Sequence, residues 1–430
     1  MKVLFNRFSG ENNLSLQKVT EWSKLLAISG SAQIIIQAIG FVSGILVIRL
    51  LSTQEYGLYT LANSMLGTMI LLADGGISSG VMALGGQVWR DRGKLGAVLV
   101  TGLSLRRKFA IGSLAIAVPV LMYMFYKHDI KWQMSLLIVA ALIPSFFTSL
   151  TGSLLQVTPK LRQDILPLQK NQVSVNVLRL ILLSILLFFF PFAWIAVLAG
   201  GLSQIWANIG LRKISDEHAD WDQKVDEGVQ KEMLVIVKRI LPGAVYYCLY
   251  GQITIWLISI FGSIDSVAQI GALSRLAMIL SLVGTILTTL AVPRFARLEA
   301  NKKLLLSRAI QLHTGLFFLL LSIIGVVWLF PEEVLWVLGR EYSNLQIELF
   351  LNIIGSCLVL FAGLSFSLLT CRGWIISPFV SIPVSILSII SGLLLIDIST
   401  LQGFLTFNIF ICSVQVLLNG SYCIFRILKL

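Results

Sequence analysis

Apolar residues run along this chain in long blocks separated by short polar segments, and the blocks do not alternate with a period of two. The stretch from Leu180 to Phe190 is nearly continuous, which excludes the strand of a membrane barrel and predicts a helix. A hydrocarbon layer about 30 Å thick takes roughly 20 helical residues, each rising about 1.5 Å. On that measure the blocks predict twelve spans, at 25–48, 58–84, 109–126, 133–155, 171–190 and 192–210, then 240–261, 267–290, 309–330, 347–370, 374–396 and 402–425. Pro119, Pro144, Pro242, Pro293 and the Pro378/Pro383 pair fall in or at the ends of spans, where each frees backbone groups and allows a bend. The fold class is all-α integral membrane, with about 12 transmembrane helices.

The polar segments organise the spans. Residues 1–24 form a mixed-charge leader containing Glu11 and Glu21, so no cleavable signal peptide is expected and the leader stays attached. Residues 211–239 are rich in both acids and bases and divide the chain into a first lobe, 25–210, and a second, 240–430. This connector is expected to be a solvated linker on the cytoplasmic side. Ser52–Ala62 and Ser263–Leu273 occupy equivalent places after the first span of each half, a weak sign of an internal repeat. Of the 33 Lys and Arg residues, 27 lie on the leader side, including six in 85–108. Arg49, Lys127, Lys131 and Arg340 lie opposite, and Arg179 and Arg275 lie inside spans. The bias places both termini in the cytoplasm, as for a multi-pass protein of a bacterial inner membrane.

Composition agrees, with 57% hydrophobic and 13% charged residues and a mean hydropathy of +0.87, against about 25% charged in soluble domains. The net charge of +12 does not imply nucleic acid, because its cations lie in short loops between spans. Cys248, Cys357, Cys371, Cys412 and Cys423 fall in or beside apolar segments without a C-x-x-C pair and read as small buried apolar groups. His128, His218 and His313 are far apart, so no metal is expected. No cofactor is expected either, and without a G-x-x-x-x-G-K-[ST] run the chain does not hydrolyse ATP through a P-loop.

Ionisable groups inside spans are costly, at about 2.5–3.5 kcal/mol each, and usually face the bundle interior or a watery cavity. Asp74 lies in the second span, Arg179 in the fifth, Arg275 in the eighth, and Arg49 at the outer end of the first. Three of these four are positive, which points to a cationic cavity and an anionic substrate, since guanidinium binds phosphate bidentately. The competing account has Arg49 and Arg179 at headgroups or helix ends, with Asp74 paired to one of them. Gln33 and Gln37, spaced i, i+4 on the first span, share a face suited to sugar hydroxyls. Gly75, Gly76 and Gly80 crowd the chain after Asp74, so that carboxylate reads as a hinge, a packing element or a coupling-ion site.

The run from Val47 to Tyr59, followed by Ala73-Asp-Gly-Gly-Ile77, resembles the opening of the polysaccharide-export flippases, the Wzx-type O-antigen and repeat-unit translocases. Their superfamily also holds the multidrug and toxic-compound extruders and the lipid II flippase. The specific match covers about 40 residues, and the later spans agree in pattern only. The resemblance implies two six-helix lobes in a V-shaped, alternating-access bundle. It also implies an undecaprenyl-pyrophosphate-linked glycan as substrate, with membrane lipids, a polysaccharide polymerase and a chain-length regulator as partners, and H+ or Na+ as coupling ion. Arg49 and Arg275 are similar in placement to the family's cavity arginines. Three rivals stand beside it: a multidrug antiporter of the same superfamily, a carrier of the major facilitator type, and a membrane-embedded glycan polymerase. Gly86–Lys94 has the facilitator letters at the wrong spacing, and the chain lacks the sizeable outer loop expected of a polymerase.

Overall fold

The computed structural model describes residues 30–299, 301–374 and 376–429, so the leader 1–24 and the first residues of the opening span lie outside the described residues. Every regular element in the described chain is helical. The first half holds α1 (Gly30–Leu50), α2 (Thr53–Asp74), α3 (Ile77–Val88), α4 (Arg92–Lys127), α5 (Trp132–Leu155), α6 (Val157–Arg162), α7 (Ile165–Phe189) and α8 (Ala193–Asp216). The second half holds α9 (Glu227–Phe261), α10 (Ile264–Ile286), α11 (Val292–Ala296), α12 (Lys302–Leu329), α13 (Pro331–Trp336), α14 (Gln346–Thr370), α15 (Pro378–Leu395) and α16 (Leu401–Leu428). Among the described residues, ten helical stretches are long and apolar enough to cross a membrane. α9, uncharged from Ile240 to Phe261, and the shorter apolar α15 complete the twelve predicted spans. Ile181, Ile185 and Phe188 on α7, and Phe317, Phe318 and Leu321 on α12, are exposed, as lipid-facing side chains of a multi-pass protein are.

Two predicted elements differ from those observed. The second span does not continue to residue 84 but breaks after Asp74, where Gly75 and Gly76 take positive φ values of 48° and 96°. Glycine is required there twice over, because a Cβ on Gly76 would meet Ile240 Cγ2 of α9 at 2.8 Å. The connector 211–239, in turn, is largely helical: α8 runs to Asp216, and α9 starts at Glu227 behind Asp226, whose side chain accepts from the N–H groups of Gly228 and Val229.

The turn between them is bound to α4. Asp220 N–H donates to the Arg92 carbonyl at 3.0 Å, and Asp226 N–H donates to Thr101 Oγ1 at 3.0 Å. Gly96 lies so close that a Cβ would fall 1.7 Å from the Asp220 carbonyl oxygen. Ala219, Met233 and Val237 join Leu95, Val98 and Leu99 in a small core of their own. The inner part of α9 is thus fastened to the first half.

At the opposite end the two halves meet directly. A Cβ on Gly57 would lie 2.5 Å from the Ile264 carbonyl oxygen, and one on Gly271 would lie 2.6 Å from Thr60 Oγ1, so α2 and α10 touch backbone to backbone at the first point and backbone to side chain at the second. Thr53 Oγ1 donates to Glu341 Oε2 at 2.6 Å beside this contact. Cys357, Cys412 and Cys423 are buried free thiols, while the side chain of Cys248 lies outside the described residues.

Candidate functional site

Inward of that seal, α1, α2, α7 and α10 enclose a cavity of about 260 Å³. α1 contributes Gln33 and Gln37, α7 contributes Asn176 and Arg179, α2 contributes Tyr59, and α10 contributes Arg275. A second cavity of about 690 Å³ adjoins it, sharing Tyr59, Arg275 and Met278 and adding amides and hydroxyls such as Asn63, Gln252, Ser274 and Ser356. Among the described residues, no acidic side chain lines either cavity.

Local packing explains how Arg275 reaches this place. It extends from α10 across Gly44 of α1, where a Cβ would sit 2.9 Å from its Cδ and 3.2 Å from its Nε. Its guanidinium is hydrogen-bonded to Tyr56. Arg179 comes from the other side on α7, donating from Nη2 to the Tyr59 hydroxyl at 3.3 Å while its buried Nε has no hydrogen-bond partner among the described residues. Gln37 Oε1 accepts from Ser281 Oγ of α10 at 3.2 Å. Two cations, each beside a neutral phenol, therefore share one wall in a low-dielectric setting, and among the described residues an anion entering the cavity would find donors without competing carboxylates.

Four of the six site residues picked out from the sequence thus meet in one place: Gln33, Gln37, Arg179 and Arg275. Arg49 lies elsewhere. It sits at the sealed end, donating from Nε to the Val337 carbonyl at 3.0 Å and from Nη2 to the Trp336 carbonyl at 2.6 Å, with its guanidinium 5.1 Å above the Trp336 ring. It caps the end of α13 and joins the halves there.

Asp74 is also outside the cavity, at the break between α2 and α3. Its Oδ1 accepts from Ser78 N–H at 3.2 Å and Ser78 Oγ at 2.7 Å, and it forms an ion pair with Arg106 of α4. The pairing expected with Arg49 or Arg179 is therefore replaced by one with a residue counted among the loop cations. α4 begins nearly five turns before its predicted start, which carries Arg106 into the bundle, where it is 1% exposed. Arg106 also donates to Ser153 Oγ at 2.6 Å and to the Leu150 carbonyl. The sequence did hold a signal: a lone carboxylate in an apolar block needs a cation, and 85–108 is the nearest segment rich in them.

Among the described residues, no three His, Cys, Asp or Glu side chains gather as a metal site. His128, His218 and His313 are each engaged separately, by Ser259, Asp164 and Ser365.

No family model matches the chain, and no curated protein sequence matches it. Solved structures do. An inward-facing multidrug resistance MATE family transporter of the MOP superfamily superposes with a TM-score of 0.71 at 15% identity, covering 92% of this chain and 96% of that one. An outward-facing form of such a transporter gives 0.62 at 14% identity, over 94% and 96%. A Vibrio cholerae MATE transporter gives 0.57 at 17% identity, over 93% and 95%. The agreement is better with the inward-facing form, in keeping with a bundle whose halves touch at the end opposite the basic segments. These neighbours are membrane transporters rather than enzymes, and the chain has the two-lobed, all-helical fold of the MATE transporters of the MOP superfamily.

Proposed function

We propose that this chain is a secondary membrane transporter of that superfamily which moves an anionic, lipid-anchored substrate, an undecaprenyl-pyrophosphate-linked oligosaccharide, from the cytoplasmic to the outer face of a bacterial inner membrane. One observation carries the reading: Arg179 and Arg275, from opposite halves, line one cavity that has no acidic wall among the described residues. A diphosphate supplies the missing negative charge, and the amides and hydroxyls of the adjoining cavity suit an uncharged glycan. The lobes of the working unit are 25–210 and 240–430, with both termini and the 211–239 segment in the cytoplasm. Coupling to a proton or sodium gradient belongs to the reading, and Asp74 can take part only in a state where Arg106 has released it.

A second reading, a multidrug antiporter, has specific support: the neighbouring structures reported above are MATE transporters, and two are named for multidrug resistance. On the comparisons alone it fits better than the flippase. The charge of the cavity favours the flippase, because among the described residues a cationic drug would face two guanidinium groups and no carboxylate. At 15% identity a shared fold leaves the lining free to differ.

Proteoliposomes separate the two. Movement of a fluorescent polyprenyl-diphosphate glycan that is lost in Arg275→Ala supports the flippase. Proton- or sodium-driven uptake of a cationic dye, with no movement of the lipid, refutes it and supports the antiporter.

A further inference from the structure

Away from the central chamber, the flank of the first half holds another cavity, of about 490 Å³, between α4, α5 and α8 near the basic end. Its volume lies in the range of small-molecule sites. Leu103, Leu154, Leu155, Ile205 and Ile209 form its apolar wall. Two threonines enter that wall, but Thr148 Oγ1 donates to the Pro144 carbonyl at 2.7 Å and Thr151 Oγ1 to the Phe147 carbonyl at 2.9 Å. Their hydroxyls are thereby used within α5, and Asn208, the remaining polar side chain of the wall, donates from Nδ2 to the Thr148 carbonyl at 2.8 Å, so the groove is mainly apolar. Ile205 and Ile209, one turn apart on α8, are 40% and 53% exposed, so the groove opens to the side rather than inward.

Its mouth has a different character. Arg212 and Lys213, at the end of α8, stand at the rim together with Trp221. The Arg212 guanidinium lies 4.3 Å above the Trp221 ring, and its Nε meets Asp216 Oδ1 at 2.8 Å. Trp221 Nε1–H is anchored on Ser215 Oγ at 3.0 Å. With Asp216 counted, the rim carries one net positive charge, and a tryptophan and two basic side chains mark the depth at which a helix meets lipid headgroups.

We infer that this groove is a lipid site, holding one acyl chain of an anionic phospholipid with its phosphate at Arg212 and Lys213. The assignment rests on charge complementarity at the rim and on the sideways opening of an apolar slot at headgroup depth. It is independent of what the central chamber carries.

Native mass spectrometry of the full chain, released from detergent and titrated with phosphatidylglycerol or phosphatidylcholine of matched chains, tests it. One phosphatidylglycerol is expected to be retained about fivefold more tightly than phosphatidylcholine, the worth of one net basic charge at a membrane surface. Lys213→Gln should bring the two lipids to parity, and Thr151→Trp, which fills the slot, should abolish retention of both. Should the tryptophan fail to fold at 151, Ile209→Trp at the opening serves the same purpose. Equal retention of the two lipids by the parent protein overturns the headgroup assignment. Undiminished retention in a folded tryptophan variant overturns the groove.

Discussion

Removing the Asp74 carboxylate tests the buried pair most directly. Arg106 has a side chain 2% exposed and Asp74 one that is 25% exposed, so Asp74→Ala strands a guanidinium that cannot reach water. Breaking a buried pair in this way costs about 3–5 kcal/mol. Arg106 keeps Ser78 Oγ, Ser153 Oγ and the Leu150 carbonyl as acceptors, and the carboxylate is partly hydrated, so the low end applies. About 3 kcal/mol corresponds to roughly a hundredfold shift in the unfolding equilibrium. The assay is reversible unfolding in mixed micelles by titration with sodium dodecyl sulfate. Arg106→Leu should recover most of the loss in the Asp74→Ala background, because removing both charges leaves no stranded partner. If Asp74→Ala unfolds at the parent midpoint, or if the second substitution makes matters worse, the pair does not hold the α2–α3 break. The double variant also addresses coupling: it should keep any ion dependence of transport, and loss of that dependence in a folded double variant would place the coupling ion at Asp74 instead.

Other consequences follow from the same geometry. Gly44→Leu should push the Arg275 side chain out of the chamber and reduce transport as severely as Arg275→Ala at unchanged protein level, whereas Arg275→Lys should keep partial activity; cell-based complementation with quantified expression reads both. Gly96→Ala drives a Cβ into the Asp220 carbonyl and should free the 217–226 turn, seen as faster limited proteolysis there than in the parent protein. Burial holds the His128 imidazole below its usual pKa of 6.5, despite its contact with Ser259. Because that pKa is depressed on folding, its stabilising effect is present above about pH 6.5 and is lost as pH falls through the folded-state value. Melting curves at pH 8 and pH 5 should therefore differ more for the parent than for His128→Gln, and equal differences would refute the assignment.

What the sequence made legible were features governed by local composition. Span existence follows from apolar length, so α5, α10 and α14 begin and end within a few residues of expectation. The chamber residues were legible for a related reason. A charge such as Arg179 or Arg275, with apolar neighbours on both sides in sequence, can avoid lipid only by facing inward, whatever the partner helices are. Gln33 and Gln37 follow from their shared helix face.

Illegible features were those whose meaning depends on which helix lies opposite. Arg106 and Arg49 both sit at the margin of a span, where sequence cannot distinguish a side chain that reaches headgroups from one that turns inward. The outcome depends on tertiary partners: Asp74 and the α5 hydroxyl and carbonyl draw Arg106 in, while the free carbonyls ending α13 hold Arg49 at the seal. The connector misled for the opposite reason. Its charges suggested a solvated linker, yet Ala219, Met233 and Val237 are spaced through it and are buried against α4. That packing makes the inner end of α9 move with the first half, while Gly57 and Gly271 hold the outer ends of α2 and α10 together. Parting the halves at this end must therefore break the contacts at Ile264, Thr60, Glu341 and Trp336 and also divide the hydrophobic core to which Leu58 and Leu61 of α2 and Val267 and Leu273 of α10 all belong.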